Sequence, residues 1–166
     1  MAEDGLQSTH SSKDSDSIGT FSILTKVVEV VLSIFAIGLI VDPFNSFNRT
    51  HLDRRAPKLD DVVFIYITLG SYLIINTVFI ISHAVLGDQI PKRLSVIFST
   101  VGALFHIIAA SLMVHNWRKL QGSGGIQYNN EVYGSKQYLD MLISGAVFTF
   151  LTFATFVVDI VLTFRY

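Results

Sequence analysis

The 166-residue chain contains no cysteine, only three prolines and few charges: 15% of its residues are Asp, Glu, Lys or Arg, against 51% hydrophobic. Without cysteine there are no disulfides, thiolate metal ligands, thiol nucleophiles or palmitoylation sites, so any segment facing an oxidising space must keep its shape unstapled. Twelve basic residues against thirteen acidic ones leave a formal net charge of −1. No basic field is therefore present to attract nucleic acid or to hold the chain on anionic lipid. A Gly-rich phosphate loop, an ordered Ser/His/Asp set and HExxH-type spacing are also missing, so an enzyme is not expected. His51, His83, His106 and His115 fall in separate segments, a poor start for a metal site, and no pattern calls for a cofactor.

What the chain does have is apolar residues gathered into long blocks, with a mean hydropathy of +0.52. Crossing about 30 Å of hydrocarbon takes roughly 20 apolar residues in a helix. Four stretches reach that length, at about 21–41, 62–86, 94–114 and 141–164. Inside a bilayer every backbone polar group must be satisfied internally, and the period-two alternation of a membrane barrel is absent, so each stretch is predicted to be helical. The expected fold is all-α: one integral membrane bundle of four transmembrane helices, over residues 21–166. Residues 1–20 are rich in Ser, Asp, Gly and Lys. They are expected to form a disordered tail, because they carry too little apolar surface to offset the entropy of ordering. They also lack the basic start and early apolar run of a secretory signal, so the first span is expected to direct its own insertion. Gly87 to Arg93, containing Pro91, reads as a tight turn that makes spans two and three an antiparallel hairpin. Asp42 to Asp61, bracketed by Pro43 and Pro57, and His115 to Asp140, loosened by Gly122, Gly124 and Gly125, read as polar loops without folded domains. No internal repeat of the transporter kind is visible.

A charge at the centre of a span costs about 2.5–3.5 kcal/mol on insertion scales, so each retained one needs a partner or a task. Glu29 lies two turns into the first span and Asp159 two turns from the end of the fourth. An even number of spans puts both termini on one side, so these carboxylates share a depth. Helical projection groups Ser22, Thr25, Ser33 and Ala36 around Glu29, and Gly145, Thr149, Thr152, Thr155 and Thr163 around Asp159. Both faces are expected to point inward. Lys26, three residues before Glu29, can neutralise it along the same helix or reach Asp159 across the interface. Nearer mid-membrane, Asn76 and His106 face a choice of partners: each other, or Tyr72 for the histidine. Interhelical hydrogen bonding is the plain account of these groups. Stringing Glu29, His106 and Asp159 into a proton path is the rival one.

Lipid tails are as apolar as leucine, so helices associate there through close packing and polar contacts. Ser95, Ser99 and Ala103 recur every fourth residue and form a flat stripe, with Gly38, Gly70 and Gly145 as thin points in the other spans. Packing within the bundle is the simpler use of the stripe, contact with a second copy the alternative. Partners follow from this: the lipid bilayer, and other transmembrane proteins or further copies of the chain. Trp117, Arg118 and Lys119 after span three, and Arg165 with Tyr166 after span four, mark water boundaries. Basic residues are slightly more numerous on the side of the two longer loops, which favours placing that side in the cytosol. The sequon Asn48-Arg49-Thr50 is usable only if the first loop is lumenal, and argues for the reverse.

The first span, from Lys26-Val27-Val28-Glu29-Val30 through Gly38-Leu39-Ile40, resembles the opening helix of MARVEL-type four-span membrane proteins. The tight turn between spans two and three, and a third span closing on His115-Asn116-Trp117, are similar to the snakeskin-type proteins of insect smooth septate junctions. This resemblance covers spans one to three. It implies a small, non-enzymatic protein at the plasma membrane with cytosolic termini, organising membrane contacts in occluding junctions or serving apical vesicle traffic. Claudins and tetraspanins fit less well, since their loop cysteines have no counterpart here.

Overall fold

A computed structural model describes the backbone of residues 4–49, 57–86, 91–121, 126–128, 131–133 and 136–165, and the side chains of 23–45, 57–85, 91–121 and 136–165. Four helices dominate it: α1 (Asp4–Arg49), α2 (Leu59–Leu86), α3 (Lys92–Gln121) and α4 (Lys136–Arg165). Each contains a stretch long and apolar enough to cross a membrane: Ile23–Asn45, Leu59–Val85, Lys92–Gln121 and Lys136–Arg165. The protein is an all-α, multi-pass membrane bundle.

Local chemistry sets the helix ends. Asp60 and Asp61 occupy the first turn of α2, where the helix dipole favours negative charge. The carbonyl of Pro91 accepts from the amides of Leu94 (2.9 Å) and Ser95 (3.1 Å) and so caps the start of α3. Arg118 and Lys119 close α3, and Arg165 closes α4, on the side where the dipole favours cations.

The helices run past the spans read from hydropathy, and three differences follow. Where a disordered tail is expected over residues 1–20, α1 is already helical from Asp4; once the apolar span has nucleated a helix, adding a residue costs little. Pro43, expected to open the first loop, lies inside α1. Its missing N–H falls near the end of the span, where the Tyr66 hydroxyl donates to the neighbouring carbonyl of Ile40 at 3.5 Å. The third loop contains a two-stranded antiparallel hairpin, β1 (Ile126–Tyr128) and β2 (Glu131–Tyr133), in which Tyr128 pairs with Glu131 and Ile126 with Tyr133. Alternation of apolar and polar residues over so short a run gave no usable signal.

The helices pack in a ring in chain order. α4 has extensive contacts with both α1 and α3, α2 leans mainly on α1, and the α2–α3 face is the loosest. Away from the termini the core is apolar: Ala36, Ile40, Ile65, Leu69, Met113 and Leu142 are buried together. Nearer the termini Tyr72, Ala103 and Phe156 form a smaller cluster. The outer surface carries exposed Ile34, Phe35, Ile67, Ile97, Leu104 and Leu151, among many others. Apolar exposure on this scale is untenable in water and is what hydrocarbon requires.

Candidate functional site

Between the small aromatic cluster and the terminal side lies a buried group of ionisable side chains. Lys26 and Glu29 are 0% exposed and Asp159 is 1% exposed. The Lys26 Nζ stands 3.1 Å from Glu29 Oε2 and 3.0 Å from Asp159 Oδ2. It also donates to Ser99 Oγ at 3.0 Å. An ammonium has three N–H groups, and here three oxygens surround it. The ammonium also lies 5.1 Å from the centroid of the Phe156 ring, whose face favours a cation.

The two carboxylates are not served equally. Oδ2 of Asp159 is ion-paired with Lys26 and accepts from the Ser99 hydroxyl (2.5 Å), and Oδ1 accepts from Thr25 Oγ1 at 3.0 Å. Glu29 receives Lys26 on Oε2, while Oε1 has no hydrogen-bond partner. The Asn76 side chain acts on the Glu29 carboxylate from α2, yet its Nδ2 also completes no hydrogen bond. Lys26 therefore joins α1 to both α3 and α4, and its reach to Ser99 spans a diagonal of the ring where the two backbones do not approach one another.

His106 is 0% exposed and lies on the inner side of this group. Its ring meets Tyr72 edge-on at 5.3 Å and Phe156 at 5.0 Å. Nδ1 donates to the Gly102 carbonyl at 2.8 Å, which leaves Nε2 without a partner. Of the two partners weighed for His106, Tyr72 is the one in contact; Asn76 is turned to Glu29 instead.

The small residues divide in two. Ser95, Ser99 and Ala103 are buried inside the bundle, so the stripe faces the ion cluster and the aromatic rings, and Ser99 is a hydrogen-bonding member of the cluster. Gly145 lets α4 approach α1: a Cβ there would stand 2.5 Å from Ile40 Cγ2. Gly38 and Gly70, expected as thin points, have no atom within 4 Å of an added Cβ and so mark no close approach inside the bundle. Gly102, which sequence reading passed over, is tight: an added Cβ would lie 2.7 Å from Tyr72 Cε1 and 2.9 Å from Phe156. Its position three residues after Ser99, on the same face, was the available signal. Gly145, Thr149, Thr152 and Asp159 face inward, whereas Thr155 and Thr163 are only half-buried. The threonines of α4 return their hydroxyls to the carbonyl four residues back, as from Thr152 to Phe148 at 2.9 Å. Asn48 falls in the last turn of α1; its side chain, like Thr50, lies outside the described residues.

Among the described residues no group of three His, Cys, Asp or Glu side chains is arranged to hold a metal ion. Compared with known proteins, the chain matches no family model, no curated protein and no solved structure.

Proposed function

We propose that the chain is a non-enzymatic structural membrane protein whose bundle associates laterally, with other spanning proteins or with itself, to organise membrane contacts. The observation that carries this reading is the division of its side chains. The buried ionisable side chains Lys26, Glu29 and Asp159 converge on one internal cluster that joins α1, α3 and α4, and the surface left over is apolar on the outer face of every helix. Gly38 and Gly70 lie on that surface with nothing above them. Thin points of this kind are where a neighbouring helix can come close in lipid, with van der Waals contact as the driving force. The similarity of spans one to three to MARVEL-type and snakeskin-type proteins points to an occluding junction of an epithelium. The same resemblance supports a position in the plasma membrane with both termini cytosolic.

Three measurements test this. A photoreactive residue at Ile34 or Ile67 is expected to give cross-linked product in native membranes, reduced several-fold by Gly38→Leu or Gly70→Leu with helical content unchanged. Absence of product from the unsubstituted chain would contradict lateral association. A tagged copy in an epithelium is expected at lateral membranes with its termini inaccessible from outside. Punctate staining would assign the protein to vesicle traffic instead, and externally labelled termini would reverse its orientation. Flux of protons or solutes through proteoliposomes, lost in Glu29→Gln, would replace the structural role with a carrier.

A further inference from the structure

The ion cluster contains one positive group and two carboxylates, all buried at the same depth. Lys26 is an ammonium, because it stands 3.1 Å from Glu29 Oε2 and 3.0 Å from Asp159 Oδ2, and a neutral amine would leave both buried carboxyl groups without a countercharge. With both carboxylates ionised the cluster would carry a net negative charge in hydrocarbon, where uncompensated charge is among the costliest things a helix can hold. Among the described residues, Lys26 is the cation paired with Glu29 and with Asp159. His106 packs on Tyr72 and Phe156, turns Nδ1 to a backbone carbonyl and has no partner on Nε2, so neither ring nitrogen pairs with a carboxylate.

The hydrogen bonds say which carboxylate differs. Both oxygens of Asp159 are covered, by Lys26 and Ser99 on one side and Thr25 on the other. On Glu29, Oε1 is buried and bare. Independently, Asn76 comes from α2 to face this carboxylate, 1% exposed, with its own Nδ2 unpartnered. A primary amide can donate to a carboxylate through Nδ2 or, turned over, accept from a carboxylic acid through Oδ1, so it suits either protonation state.

We infer that the cluster binds one exchangeable proton, carried on Oε1 of Glu29 opposite the Asn76 amide. The O–H bond formed there brings the Lys26, Glu29 and Asp159 set to neutrality, and the proton comes from water with no other reactant. Glu29 is eight residues beyond Phe21, where the apolar stretch of α1 begins, so about 12 Å of helix separates the site from the boundary on the terminal side. The groups facing it are Lys26 on its own helix, Asp159 from α4, Ser99 beyond the ammonium on α3, and Asn76 with Tyr72 on α2. This inference stands on the cluster alone and holds whether or not the bundle assembles laterally.

The test is infrared spectroscopy of the full chain in phosphatidylcholine bilayers at neutral pH. A carbonyl stretch of a protonated carboxylic acid is expected. It should move to lower frequency on carboxyl-13C labelling of glutamate but not of aspartate, and should shift in D2O as the proton exchanges. Glu29→Gln should abolish it. Should that variant fail to fold, the isotope labels on the unsubstituted chain still decide, and Asn76→Leu, which leaves the charge count unchanged, should move the band to higher frequency. A band that follows the aspartate label, or no band at all, overturns the assignment. So does a band that emerges only when choline replaces sodium, because sodium would then be the balancing charge.

Discussion

Lys26 links Glu29, Ser99 and Asp159 across three helices, so its removal strands the buried carboxyl groups of Glu29 and Asp159 at once. Lys26→Met is therefore expected to destabilise the bundle by about 3–5 kcal/mol, the usual cost of breaking one side of a buried ion pair. Unfolding of the purified protein by SDS in mixed micelles measures it, and a loss below about 1 kcal/mol would mean that the pair is not load-carrying. At Asp159 the sign of charge decides. Asp159→Leu leaves Lys26 paired with Glu29, whereas Asp159→Lys sets two ammonium groups against one carboxylate, so the leucine variant should accumulate to a higher level and keep its detergent-resistant form. The reverse order would refute the pairing. This pairing was legible in the sequence, because the depth of Glu29 and Asp159 followed from the even number of spans and Lys26 stood one turn away. The part of Ser99 was not. Spacing shows a small residue on an inward face, but a hydroxyl that accepts from a lysine and donates to an aspartate looks the same in sequence as one that merely takes little room.

Each helix reads outward from its contacts. Gly145→Ala pushes a methyl group into Ile40 on α1, and Gly102→Ala pushes one into Tyr72 and Phe156. Each should cost about 1–3 kcal/mol, as overpacking of a tight core does. Gly38→Ala meets nothing and should be neutral or stabilising by a few tenths of a kcal/mol, up to about 1, as alanine replaces glycine in a helix. The same unfolding measurement separates the two classes, and equal effects at Gly38 and Gly145 would contradict the placement of the helices. Glycines in spans are recognisable as thin points, yet which of them faces a neighbour depends on helix rotation, which hydropathy leaves open when every face is apolar. Element boundaries were obscured for related reasons. Pro43 and the polar residues from Asp4 onward look like helix breakers or coil, and their helical state comes from attachment to a long apolar span.

For the molecule as a whole, the four spans and the all-α class were legible, because burial of backbone groups in hydrocarbon leaves few alternatives. The packing order around the ring was less so: the α2–α3 hairpin is continuous in sequence but is the loosest of the faces, and α4 is the helix that binds the others together. The central claim is that lipid surrounds an inward-facing polar cluster, and the missing cysteine makes it directly testable, since any introduced thiol is unique. Nitroxide labels at Val147, Leu151 and Val158, which are exposed on α4, and at Thr149 and Thr152, which are buried, should be compared in bilayers. The account predicts strong relaxation by lipid-soluble oxygen and none by a water-soluble nickel chelate at the first three, and protection from both reagents at the two threonines. Access of the nickel chelate to Val147, Leu151 and Val158, or oxygen access at Thr149 equal to theirs, would contradict it.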